Sequence, residues 1–157
     1  LAASPALKKY ESPIFIKNSQ MTSEVIYNGD LRTTCTHLKS GSNFETDAPV
    51  DNNGKGERFS PTDLMATSLA TCMVTVMGIK ARTMNFDLND IRVEVLKKMA
   101  AEPRRVSGID LKFHIPENLA SIDEKTIAIL KNTGNTCPVA KSLHPDIEIT
   151  VDWGTWS

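Results

Sequence analysis

The spacing of apolar residues changes several times along the chain, and each change marks an element. Val25 and Tyr27, then Thr33 and Thr34, stand among β-forming neighbours on either side of Asn28-Gly29-Asp30. That composition predicts a hairpin over 24–39. A further short strand is expected over 43–46, after the Ser40-Gly41-Ser42 turn. Residues 47–59, rich in Asp, Asn, Gly and Lys, read as a surface loop. Ser60 then supplies a helix N-cap, Pro61 suits the first helical position, where no N–H is needed, and Asp63 faces the positive end of the helix dipole. The helix should run to about residue 82. Its middle is apolar or small on nearly every face (Leu64, Met65, Ala66, Leu69, Ala70, Met73, Val74, Val76, Met77, Ile79), which predicts a helix buried all round at the centre of the fold.

Beyond the Asn85-Phe86-Asp87 turn, Ile91, Val93 and Val95 alternate with polar residues, as do Ile109, Leu111, Phe113 and Ile115. A period of two predicts a long antiparallel hairpin with one wet face, turning at 101–105 and stopped by Pro116. Ile122, Thr126, Ile129 and Leu130 have helical spacing, with a break expected at Gly134 and a short second helix from Pro138. Ile147, Ile149, Val151 and Trp153 form a closing strand. The class is therefore α+β with mainly antiparallel sheet.

Length and charge narrow the possibilities. The 157 residues suit one domain, read as 21–157, and residues 1–20 read as an N-terminal extension of cleaved or vector-derived origin, with Met21 as a natural start. With 18 basic against 19 acidic residues the net charge is -1, so no global field draws nucleic acid or an anionic membrane. Arg104 and Arg105 read as a solvated turn. The apolar run 64–79 is shorter than the ~20 residues a bilayer requires and carries four hydroxyls, so no membrane span is expected.

Three cysteines, an odd number without a secretory segment before them, argue against a disulfide framework and for a reducing, cytoplasmic setting. Cys72 on an apolar helix reads first as a small core residue, since mid-helix placement offers a thiolate no dipole. Cys137, next to Pro138 at a helix start, lies where unpaired N–H groups favour a thiolate, although Thr136 or Asn135 could be the cap instead. Cys35 reads as strand packing. His37, Cys35, His144 and Cys137 lack zinc spacing, so neither a metal nor a cofactor is expected. His114 falls on a polar strand face, and His144 marks a helix end. A cysteine hydrolase would need a histidine and an orienting acid, and the helix carrying Cys72 has no signature of one.

Two separated segments carry a resemblance. Ser60-Pro61-Thr62-Asp63-Leu64-Met65-Ala66-Thr67-Ser68-Leu69-Ala70-Thr71-Cys72 and Thr136-Cys137-Pro138-Val139-Ala140-Lys141-Ser142-Leu143, in this order, resemble the OsmC/Ohr family of osmotically induced and organic hydroperoxide resistance proteins. The resemblance covers roughly residues 22–153 and points to the OsmC-like branch. It implies an intertwined homodimer, with sheets wrapped around two long central helices and a thiol site at each interface. It also implies that Cys72 is the peroxidatic thiol, Cys137 the resolving thiol and Arg32 the activating cation. The substrate would be a small organic hydroperoxide and the regenerating partner a dithiol reductant. The family's glutamate after the helix-start proline is Thr62 here, which leaves Arg32 without its usual anchor unless Glu57 substitutes. The alternative is a non-enzymatic relative that binds a small apolar or electrophilic ligand.

Overall fold

The computed structural model describes residues 21–157; the reading of residues 1–20 lies outside the described residues. The first three strands, β1 (Ser23–Gly29), β2 (Arg32–His37) and β3 (Asn43–Asp47), form an antiparallel sheet in the order β1-β2-β3. The hairpin turns at Asp30 and Leu31, two residues later than the Asn28-Gly29 pair suggested, and both residues have positive φ, 50° and 61°. Two left-handed residues match the twist of paired strands, which is why such turns usually carry Asn, Asp or Gly; Leu31 is an unusual occupant.

Helix α1 (Pro61–Thr83) begins with the cap its sequence encodes. Ser60 Oγ accepts from Asp63 N at 3.1 Å, and the Asp63 carboxylate accepts from Ser60 N at 2.8 Å. This reciprocal pair satisfies two end groups and is worth about 1 kcal/mol. At 23 residues, with a window of mean hydropathy 1.5, α1 is long and apolar enough to cross a membrane, so the apolar run 64–79 understated it. One stripe of it, Ala66, Leu69, Ala70, Met73, Met77 and Ala81, is fully packed in the core.

The expectation of burial on every face is corrected by the other stripe. Met65, Thr71, Thr75 and Ile79 are exposed, and Ser68 and Cys72 only half-buried. A chain of this size has one sheet and one helical layer to set against α1, so it covers one side.

The covering elements are β4 (Arg92–Ala101), β5 (Arg104–His114) and α3 (Glu124–Asn135). The predicted break before the short helix at Pro138 is present but falls after Asn135: α3 includes Gly134, which is buried against α1. A Cβ there would stand 2.9 Å from Met77 Sδ, so the missing side chain sets how closely the two helices approach. Short helices α2 (Glu117–Ala120) and α4 (Pro138–Ser142) flank α3, and β6 (Glu148–Asp152) closes the second sheet, ordered β4-β5-β6. β6 runs parallel to β5, a local departure from the mainly antiparallel expectation. The three helices between them supply the long crossover that a parallel pair requires. Phe113 packs on Trp153 with ring centroids 4.5 Å apart, and Trp156 Nε1 donates to Leu119 O at 2.9 Å, sealing the far side of the core.

Candidate functional site

The fold brings two of the three thiols together. Cys72 projects from the side of α1 that meets α4, and Cys137 is the residue that caps α4, as Pro138 in the first turn suggested. Both are free thiols, and the Cys72 side chain lies beside that of Cys137. They differ in access: Cys137 is 1% exposed, whereas Cys72 is half-buried on the stripe of α1 that faces outward. Burial pushes the Cys137 thiol up from its usual value. The Ala140 N–H, 3.4 Å from Cys137 Sγ, works against this, and the neighbouring Cys72 works with it. The balance keeps Cys137 protonated. The inner thiol thus holds its proton and the outer one meets solvent. Cys35 is remote from both, on β2 opposite Val25 and Phe44.

Arg32 begins β2 and is not brought to this pair. Its Nε donates to Asp47 Oδ1 at 2.6 Å and its Nη2 to Asp47 Oδ2 at 2.8 Å, while Nη2 also donates to Glu57 Oε2 at 2.7 Å. Asp47 is 1% exposed and accepts a further bond from Glu57 N at 3.1 Å. The hydrogen bond to Asp47 is the main cause that raises the Arg32 pKa, and the same bond holds the Asp47 carboxyl below its usual range. Asp47, expected in a surface loop, is therefore the buried end of β3 and the anchor of an ion pair.

This cluster belongs to the start of α1: Asp47 N donates to Phe59 O at 3.2 Å, and Asp47 shares a cavity of about 400 Å³ with Ser60, Pro61 and Thr62. Ten residues of helix separate Thr62 from Cys72, about 15 Å at 1.5 Å per residue.

Position 62 is committed elsewhere. Lys97 on β4 donates to Thr62 Oγ1 at 2.9 Å and to Ser60 Oγ at 3.3 Å, and its ammonium pairs with Asp63 Oδ1 at 2.6 Å. Burial pushes the Asp63 carboxyl up, but hydrogen bonds from Lys97 and Ser60 outweigh it and hold the carboxyl below its usual range. Sequence reasoning missed both Asp47 and Lys97. No period along β3 marks Asp47, since Thr46 and Asp47 are buried side by side. Nothing local marks Lys97, which sits on a strand beside Lys98.

The motif regions and the fold can be set against known proteins. The family described as OsmC-like protein matches residues 54–152, more than half of the chain. The chain belongs to the OsmC family. A crystal structure of a candidate osmotic stress induced and detoxification response protein from Psychrobacter arcticus is 54% identical, with a TM-score of 0.81, over 86% of this chain and 96% of that one. The organic hydroperoxide resistance protein OsmC from Legionella pneumophila shares the fold at 16% identity, with a TM-score of 0.65, over 86% of this chain and 98% of that one. OhrB, the organic hydroperoxide resistance protein of Bacillus subtilis, shares it at 17% identity and a TM-score of 0.56, over 84% and 97% of the two chains. Among curated proteins none matches.

Within the OsmC fold the remaining candidates are peripheral. His114 is half-buried, its Nε2 2.9 Å from Glu94 Oε2, and His144 is exposed next to Asp146. Among the described residues no three or more His, Cys, Asp or Glu side chains gather where they could hold a metal.

Proposed function

We propose that this OsmC protein is a thiol-dependent peroxidase that reduces small organic hydroperoxides as a homodimer, in a reducing, cytoplasmic setting. The observation that carries the reading is the pairing of an accessible thiol with a buried, protonated one, Cys72 with Cys137, in a fold shared with hydroperoxide resistance proteins.

The reaction follows from that asymmetry. The Cys72 thiolate attacks the outer oxygen of ROOH, the O–O bond breaks, and the departing alkoxide takes a proton and leaves as the alcohol. Cys72, oxidised by two electrons, is now a sulfenic acid. The Cys137 sulfur attacks it, a disulfide forms, and the sulfenic oxygen leaves as water with the Cys137 proton. A dithiol reductant restores both thiols by exchange.

The dimer is supported by what the single chain leaves uncovered. Tyr27 is 64% exposed, Val25 61% and Ile79 60%, and Ile26, Phe44 and Leu96 are exposed as well. Met65, Ser68, Cys72, Thr75 and Ile79 recur at alternating steps of three and four, the spacing of a helix seam. Arg32 is held by Asp47, whose cavity opens at the start of α1, and Thr62 there is about 15 Å of helix from the Cys72 of the same chain, which favours Arg32 serving the Cys72 of a second copy.

The test is stoichiometric. One equivalent of cumene hydroperoxide should consume two of the three thiols and yield a Cys72–Cys137 bridge in the peptide map. Retention of all three titratable thiols would remove the peroxidase and leave ligand binding without catalysis.

A further inference from the structure

Arg32 has five N–H donors, and the structure engages one edge of it. Nε and Nη2 are spent on Asp47 and Glu57, while among the described residues nothing accepts from Nη1. Asp47 is the rigid half of this clamp, buried and itself fixed by the Glu57 backbone N–H; Glu57 is the outer half, exposed at its carboxylate. Position 62, the other candidate to anchor the guanidinium, is occupied by its bond from Lys97. A carboxylate placed there would meet an ammonium already paired with Asp63.

We infer that Asp47, assisted by Glu57, is the positioning carboxylate of this protein, turning Arg32 so that Nη1 presents two N–H donors to the Cys72 sulfur and peroxide oxygen of a second copy. The inference rests on the homodimeric thiol site proposed above. A bidentate carboxylate fixes the plane of a guanidinium as well as its place, so the free Nη1 points in a defined direction before substrate arrives. Asp47 touches neither sulfur nor peroxide and acts only through Arg32.

The test compares wild type with Arg32→Met, Asp47→Asn, Asp47→Glu, Glu57→Gln and the Arg32→Met/Asp47→Asn pair. Two rates at Cys72 are followed by peptide mass: oxidation by cumene hydroperoxide and alkylation by iodoacetamide. Asp47→Asn should slow both nearly as much as Arg32→Met, on the order of a hundred-fold for a displaced catalytic group. The double variant should be no slower than Arg32→Met alone, and Asp47→Glu should recover part of the loss. Wild-type rates in Asp47→Asn, or losses that multiply in the double variant, would overturn the inference. Should Asp47→Asn fail to fold, Glu57→Gln decides: a several-fold loss supports the clamp and wild-type rates overturn it. Iodoacetamide separates the two readings. If wild type ignores the peroxide yet alkylation still falls in Arg32→Met and Asp47→Asn, the peroxidase is wrong and the positioning role stands.

Discussion

Replacing Ile79 by glutamate tests the uncovered side of α1. The side chain is 60% exposed in the single chain, two turns beyond Cys72 on the same stripe. Burying a whole isoleucine is worth about 1.5–3 kcal/mol, so covering the exposed portion is worth roughly 1–2 kcal/mol per copy. A two-fold interface uses the position twice, so the substitution should weaken association by about 2–4 kcal/mol, roughly thirty- to several-hundred-fold in the dissociation constant. A glutamate that must also be desolvated adds to this. In an isolated chain the same change on an exposed face should alter stability by no more than about 0.5 kcal/mol. Light scattering over a dilution series provides the assay. Wild type should hold twice the 17.3 kDa chain mass, with a melting temperature that rises with protein concentration, while Ile79→Glu dissociates to single chains and loses that concentration dependence. A wild-type protein at the single-chain mass throughout, or an unchanged series for Ile79→Glu, would refute the reasoning and leave Arg32 without a thiol to serve.

Three further outcomes are expected. Gly134→Ala should gain about 1 kcal/mol of helix propensity yet lose more: its Cβ would meet Met77 Sδ at 2.9 Å, and Met77 is fully buried, so the thermal midpoint should fall by a few degrees in calorimetry. The Asp47 carboxyl, held by Arg32 below its usual value of 3.8, contributes stability that is complete above that value and is lost as pH falls through the folded pKa. Asp47→Asn should therefore flatten the acid end of the stability–pH curve, and an unaltered acid limb would contradict the ion pair. Cys137→Ser should stop the reaction at the Cys72 sulfenic acid, detected as a dimedone adduct after peroxide; rapid disulfide formation in this variant would place resolution on Cys35 or another chain.

Local rules carried far. Ser60, Pro61 and Asp63 announce the start of α1, and Pro138 marks the cap at Cys137, because capping involves only the backbone within one turn. The alternation in 91–95 and 109–115 exposes β4 and β5 for the same reason. What local pattern could not convey is how closely elements approach and how much apolar surface one chain can cover. Gly134 looked like a break and is a point of contact. The apolar girth of α1 suggested full burial, yet one chain has material for one side. Asp47 has the composition of a loop residue but ends a strand, and only tertiary pairing with Arg32 reveals it. Cys72 and Cys137 were linked beforehand by family resemblance alone, since the distance between two helices is not written in either.

The crossover that makes β6 parallel to β5 has a consequence of its own. It carries Cys137 to α1 from late in the chain, so a bridge to Cys72 would enclose a loop of about 65 residues, worth roughly 4 kcal/mol in restricted unfolded-chain entropy. Oxidised protein would then outlast reduced protein under heat or protease. Each catalytic turnover would pass through the sturdier form, and how long the molecule survives would record how recently it had met an oxidant.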